Sequence, residues 1–216
     1  MAAGFATQAE YALARVAEAR RALALAGVEA NAIVNLRLTD QRVSFCLGEL
    51  IDKIGRTIGR ENPEILLTHA YEGGHPDHDS VAFACHVAHE VNIRKRGCSG
   101  LRLMEFAGYH GEGGAIRTYG FVSCSDSWEI RHDLNHEEES LKKKMLKTFK
   151  TQAKTLQAFL PPQVERYRDA PKYDFASPPH RGKLFYEHFD WGMDGATWRS
   201  LAQAALRELK LPRRKS

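Results

Sequence analysis

The stretch from Glu64 to Asp79 reads EILLTHAYEGGHPDHD and restricts the fold more than any other part of the chain. Ile65-Leu66-Leu67 is a short apolar run of the kind that forms a strand buried on both faces. Thr68-His69 ends the run, and Tyr71-Glu72-Gly73-Gly74 supplies a loop whose glycines are free to adopt positive φ. His75-Pro76-Asp77-His78 follows, and a helix is predicted from Asp79 through Val81-Ala82-Phe83-Ala84. In an open α/β sheet, the loop just past the carboxyl end of a strand is where ligands bind. Two imidazoles and a carboxylate suit a metal site with a proton-transfer group beside it. Pro76 fixes its own φ and pushes His75 toward extended backbone, so the two rings can point differently. One can ligate a metal while the other hydrogen-bonds a reacting oxygen, and Asp77 can accept from a ring N–H and fix that ring's tautomer. The bland alternative is a polar turn that caps the next helix, with Asp77 or Asp79 as N-cap.

The rest of the chain alternates in a way that favours a parallel sheet. Thr7-x-x-Glu10 fits a capping box, an alanine-rich helix follows through Ala26, and Gly27 stops it. Ala32 to Leu38 (AIVNLRL) is β-like, and Thr39-Asp40 reads as a turn or helix cap. Between Val43 and Ile58 the apolar residues Leu47, Leu50, Ile51, Ile54 and Ile58 fall at helical spacing, and Asn62-Pro63 breaks the pattern. Strand, helix and the Glu64 strand in that order make a βαβ unit. Asp79 to Arg96 is predicted as a helix ended by Gly97, and Leu101 to Tyr109 as a strand with His110 at its carboxyl end. His86 and His89 lie on that helix, but HVAHE does not follow the HExxH order of zinc helices. His110 either faces the same crevice as His75 or sits in a surface turn before Gly111. Gly111-Glu112-Gly113-Gly114 lacks the spacing of a phosphate loop. Ile116–Val122 and Ser127–Ile130 read as short edge strands, and Glu137–Phe159 as a long charged helix. Val164–His180 reads as an extended segment, Leu184–Trp191 follows, and Thr197–Leu209 reads as a closing helix.

Composition narrows the class without identifying it. A chain of 216 residues with 43% hydrophobic and 27% charged residues is ordinary for one globular domain. The net charge of +4 is concentrated in Lys142-Lys143-Lys144 and Arg213-Arg214-Lys215. The lysines share their helix with Glu137, Glu138 and Glu139, so a solvated face is favoured over a nucleic-acid surface. No window reaches the length of a membrane span, and Glu10, Arg15 and Glu18 stand where an export signal needs an apolar core. Cys46, Cys85, Cys98 and Cys124 form no CxxC pair and read as reduced thiols, which places the protein in the cytoplasm.

The segment TH-A-YEGG-HPDHD resembles the second motif of the PIG-L/LmbE-like zinc-dependent N-deacetylases. Flanking likenesses lie in Arg15–Glu18 with Ala22–Val28, and in Tyr173-Asp174-Phe175, Pro178-Pro179-His180 and Leu184–Glu187. The resemblance implies a Rossmann-like three-layer α/β sandwich with a mostly parallel sheet and antiparallel additions toward the C-terminus. It also implies removal of an acetyl group from an N-acetylated sugar, glycoconjugate or related acetamide. One zinc ion would lower the pKa of a bound water toward about 7. His78 would be a zinc ligand, and His75 the electrophile or general acid. Asp77 would hold His75 in its useful tautomer. The family opens with a strand and a His-Pro-Asp-Asp type motif that supplies further ligands and the general base. No such segment precedes His75 in the sequence, so the resemblance predicts a single domain over residues 1–216 that lacks its first, central strand, with an incomplete ligand set. A family member that binds without catalysing is the alternative expectation.

Overall fold

In a computed structural model, residues 4–96, 100–123 and 128–209 are described. Gly97, Cys98, Ser127 and the Arg213-Arg214-Lys215 tail, all singled out in the sequence, lie outside them, as does Cys124. The described chain divides into two compact units, residues 1–35 with 132–164 and residues 36–131 with 165–216.

The first unit is helical. Helix α1 spans Gln8–Leu25 and opens with the predicted capping box, in which the Thr7 side chain accepts from the Glu10 N–H and Glu10 reaches back to the Thr7 backbone. Gly27 follows the helix at φ +77°, a conformation that costs glycine little. Helix α4 (His136–Thr148) is capped by Asn135 and Glu138 in the same reciprocal way. It ends at Thr148, earlier than its charge pattern predicts, because Phe149 leaves helical geometry at φ −82°, ψ 73°. Short turns, among them α5 (Ala153–Leu156), carry the chain to Phe159. Glu18 of α1 accepts from both the N–H and the hydroxyl of Thr151 at 3.0 and 2.5 Å. Gln152 donates to the Tyr11 hydroxyl at 2.6 Å.

The second unit carries the main core. Helix α2 (Leu47–Glu61), preceded by a 3-10 turn at Val43–Cys46, buries Leu47, Leu50, Ile51, Ile54 and Ile58, the face its spacing predicts. Asn62 ends it in the left-handed region at φ 44°. Helix α3 (Pro76–Arg96) buries Ala82, Phe83, Ala84, Cys85, Val87 and Ala88, and α6 (Gly195–Glu208) adds Trp198, Ala202 and Ala205. Each large apolar side chain fully removed from water there contributes about 1.5–3 kcal/mol.

The sheet is mixed, with strands β1 (Ile65–His69), β2 (Arg102–Phe106), β5 (Glu129–Asp133) and β6 (Val164–Asp169) in the order β1-β2-β6-β5. β1 and β2 pair in parallel from Ile65↔Arg102 to His69↔Phe106, and β6 pairs antiparallel with β2. The α/β class and the late antiparallel addition are as expected. The segment Val164–His180, read as extended, opens with β6. A hairpin of β3 (Tyr109–Glu112) and β4 (Ala115–Thr118) turns on Gly113-Gly114, both at positive φ, as a two-residue loop requires.

Several local expectations fail for identifiable reasons. Residues 32–38 form no strand: a 3-10 turn occupies Ala30–Ala32 and Arg37 sits at φ 54°, which breaks an extended run. The βαβ unit is therefore β1–α3–β2. β1 is not buried on both faces, since Ile65 is 51% and Leu67 46% exposed. It is the edge strand of its sheet, and these two residues share a face that the described unit leaves uncovered. The stretch 101–109 splits into β2 and β3 at Ala107-Gly108, which places His110 inside a strand, not in a surface turn.

Candidate active site

The turn that carries the histidines is held by packing that admits only glycine at two positions. Gly73 has φ +69°, and a β-carbon there would stand 2.7 Å from Leu184 Cδ2. At Gly74 a β-carbon would stand 2.0 Å from the Tyr109 carbonyl oxygen. Asp79, wholly buried, reaches back to accept from the N–H groups of Glu72 and Gly73 at 3.2 and 3.1 Å. Burial holds its carboxyl well above the usual carboxylate range in spite of those two bonds.

Helix α3 begins at Pro76, not at Asp79, because proline suits the first helical position and His75 caps the turn with its own ring. His75 Nδ1 accepts from the Asp77 N–H at 3.1 Å, and the His75 carbonyl accepts from the Asp79 N–H at 3.1 Å. In the neutral ring the proton therefore sits on Nε2. Asp77's carboxylate does not reach the His75 ring. It accepts from the N–H groups of Gln41 and Val43 at 2.6 and 3.2 Å, tying the turn before α2 to the start of α3. The expectation that this carboxylate fixes His75's tautomer is thus corrected: the backbone amide of the same residue does so. Burial pushes Asp77 up to about 6, against the pull of its two backbone bonds.

His78, in the first turn of α3, is framed by rings. His69, the last residue of β1, stacks on it with centroids 4.0 Å apart and planes 5° from parallel. Tyr109 meets it edge-on at 5.4 Å, and His75 lies 5.1 Å away. Among the described residues neither nitrogen of His78 has a hydrogen-bond partner. Burial, then the neighbouring His69 and His75, hold its pKa well below the ordinary imidazole value, so the ring is neutral at pH 7. His69 is wedged between His78 and Phe106; its buried Nδ1 has no partner, and burial lowers its pKa to about 4. His75 is lowered by burial and partly restored by Asp40. That exposed carboxylate, read from sequence as a turn residue, acts on His75, Asp77 and Tyr109 alike.

The opposite end of the chain completes the surroundings. The Trp198 indole N–H donates to the Pro76 carbonyl and to Ser80 Oγ at 3.2 and 3.1 Å, anchoring the start of α3. Trp191 lies 4.9 Å from the His75 ring. Neither tryptophan stands in a motif, so nothing local in the sequence marks them. Glu72 carries a buried network: it accepts from the Val122 N–H at 2.6 Å and lies 3.7 Å from both Arg168 and His110 Nδ1. Arg168 pairs with buried Glu105 at 3.0 Å, and Tyr173 donates to the same carboxylate at 2.9 Å. His86 faces Glu105 at 3.5 Å and His89 the Leu101 carbonyl at 2.8 Å, so that helical pair belongs to packing rather than to the histidine cluster.

A catalytic zinc needs three protein ligands. His78 has the neutral, unpaired ring such a ligand requires. Among the described residues, however, no group of three or more His, Cys, Asp or Glu side chains is placed to hold a metal ion. Asp77 is committed to the backbone at 41–43, and the parallel stack of His69 on His78 suits packing better than shared ligation. These residues do not make up a zinc site by themselves.

Fold and cluster together define an α/β protein whose histidines sit at the carboxyl end of a parallel strand, where such sheets bind ligands. Residues 2–89 match the family model of PIG-L, described as GlcNAc-PI de-N-acetylase, so that segment of the chain is similar to the PIG-L/LmbE-like family. N-deacetylation is the activity this family implies in general, and zinc its usual metal. The likeness at Tyr173–Glu187 lies beyond the matched residues. No curated protein and no solved structure matches the chain. Among the described residues no helix is long and apolar enough to cross a membrane.

Proposed function

We propose that the chain acts as an N-deacetylase on an N-acetylated sugar or related acetamide, with His75 as the group that meets the acetamide oxygen. The observation that carries this reading is the capping arrangement of His75. Its Nδ1 is occupied by the Asp77 amide, which leaves an Nε2–H donor without a partner among the described residues, beside the unpaired ring of His78. As water adds to the acetamide carbon, negative charge gathers on the carbonyl oxygen, and a fixed N–H stabilises it most where water is scarce. The arrangement supports the electrophile's role over the general acid's, because adding a second proton to Nδ1 would cost the bond from Asp77. As the C–N bond breaks, the proton given up by the attacking water passes to the nitrogen, and acetate and a free amine are released. Asp77 supports His75 indirectly, by locking the first turn of α3 to residues 41–43.

His78 is the residue we assign to zinc, as one ligand of a set that the described residues do not complete. The shortfall favours a second reading, a family member that binds its ligand without turning it over. Acetate release from a panel of N-acetyl sugars decides between the two. Under the enzyme reading, His75→Ala lowers kcat by about a hundred- to a thousandfold, the cost of losing one oxyanion donor. In a form that carries the remaining ligands, His75→Ala leaves zinc uptake in equilibrium dialysis unchanged, whereas His78→Ala abolishes it. Equal zinc loss in the two variants would refute the division of roles, and absence of acetate release from every sugar would leave the binding reading standing.

A further inference from the structure

Phe185, Phe189 and Trp191 line up beside the histidine cluster, where Trp191 also packs against the apolar core. Phe189 lies in extended backbone at φ −121°, ψ 150°, so residues 189 and 191 project to the same side. Their rings stack with centroids 4.6 Å apart and planes 13° from parallel. Phe185 meets Phe189 edge-on at 5.2 Å and Tyr109 at 5.9 Å. The series therefore runs from Phe189 through Trp191 to His75, and from Phe185 through Tyr109 to His78. Phe189 is 42% exposed and Trp191 only partly buried, whereas Trp198, the core tryptophan, is 0% exposed. The two tryptophans also differ at their polar tips. Trp198 uses its indole N–H on Pro76 and Ser80, while among the described residues that of Trp191 has no acceptor. A partly exposed aromatic side chain with a free donor suits a ligand that is apolar on one side and hydroxylated at its rim.

The segment is held in place from both ends. The Phe185 N–H donates to the Gly73 carbonyl at 2.9 Å, which ties the segment to the turn before His75. Glu187 accepts from the N–H groups of Leu184 and Gly195, each at 2.8 Å, and Gly192 turns the chain at φ +67° directly after Trp191. The platform is thus pre-organised against the same turn that orients His75.

We infer that Trp191, backed by Phe189, is the platform on which a pyranose ring stacks while its acetamide reaches His75, and that it selects cyclic sugars over linear acetamides. The inference rests on the deacetylase reading for its substrate class but not for its test. A pyranose presents a row of slightly positive axial C–H groups, which match the negative face of an indole, and its ring hydroxyls supply the acceptor that the Trp191 N–H lacks.

The experiment measures binding, not turnover. Methyl N-acetyl-β-glucosaminide and the linear N-acetylethanolamine are titrated into the full chain and into Trp191→Leu and Trp191→Phe, with thermal melts to verify folding. Leucine fills much of the volume without the π face, and phenylalanine restores the face. Trp191→Leu should weaken the pyranoside by about tenfold, Trp191→Phe should stay within about threefold of the parent, and the linear amide should bind all three alike. In the unaltered chain, saturating the aromatic protons should transfer magnetisation to the axial ring protons of the pyranoside, a result that holds even if a variant misfolds. The inference is overturned if the parent binds no pyranoside, if no such transfer occurs, or if Trp191→Leu weakens both ligands equally. Pyranoside binding without acetate release would refute the deacetylase reading and leave the platform intact.

Discussion

His69 sits at the centre of the histidine cluster. It ends β1, stacks on His78, and is buried with an unpartnered Nδ1, so charging it in the folded state is costly. Burial lowers its pKa from 6.5 to about 4. A base whose folded pKa is depressed contributes its full stability above the unfolded value and loses it as pH falls. Melting temperature should therefore decline as pH drops from about 6.5 toward about 4, and His69→Gln should flatten part of that slope. Part of the slope should persist, because His75 and His78 are shifted in the same direction. A variant with the parent's full slope would show that His69 is not among the groups responsible. Cys85 shows the complementary case: burial pushes its thiol up to about 11, which makes it a packing residue and not a nucleophile.

At the scale of elements, the site depends on how helices begin and on what the loops pack against. Asp194 caps α6, the helix that carries Trp198, by accepting from the Thr197 N–H at 2.7 Å. That bond holds its carboxyl below the usual range of about 3.8. Asp194→Ala should cost about 1 kcal/mol in denaturant unfolding at neutral pH. A carboxyl with a depressed folded pKa contributes above its unfolded value and loses the contribution as pH falls, so parent and variant should converge in acid. Equal stability at pH 7 would mean that the cap contributes nothing. Gly74 is the stricter test of the turn. A methyl group there meets the Tyr109 carbonyl oxygen and must displace β3, so Gly74→Ala should destabilise by about 1–3 kcal/mol in the same measurement. A neutral substitution would show that β3 yields freely.

For the molecule as a whole, charge bears most directly on the choice of partner. The net charge is +4, and the lysines of α4 are interleaved with acids: Lys143 pairs with Glu139 at 3.1 Å. Neutralising a phosphate backbone needs several cations on one face, and the resulting affinity falls steeply with salt. The chain should therefore show no mobility shift with single- or double-stranded DNA or RNA between about 50 and about 200 mM salt. Retardation that weakens across that range would restore a nucleic-acid role. The core itself belongs to residues 43–88 and 175–205, so α2, α3 and α6 are the helices around which the second unit is built.

What the sequence determined by itself was local. The capping box at Thr7–Glu10, the buried face of α2 and the histidine motif all lie within windows where spacing alone decides which side chains share a face or a turn. Tertiary structure decided everything that needed a distant partner. Residues 32–38 have β-forming composition but no neighbouring strand, and a strand is stable only when its backbone groups are paired. Ile65 and Leu67 have the composition of a covered strand, yet β1 ends up at an edge. Asp77 lies two residues from His75, but its carboxylate satisfies N–H groups 34 and 36 residues away, since buried amides bind the nearest acceptor in space. Trp191 comes to His75 for the same reason: its position follows from hydrogen bonds at Gly73 and Gly195, which no local pattern encodes.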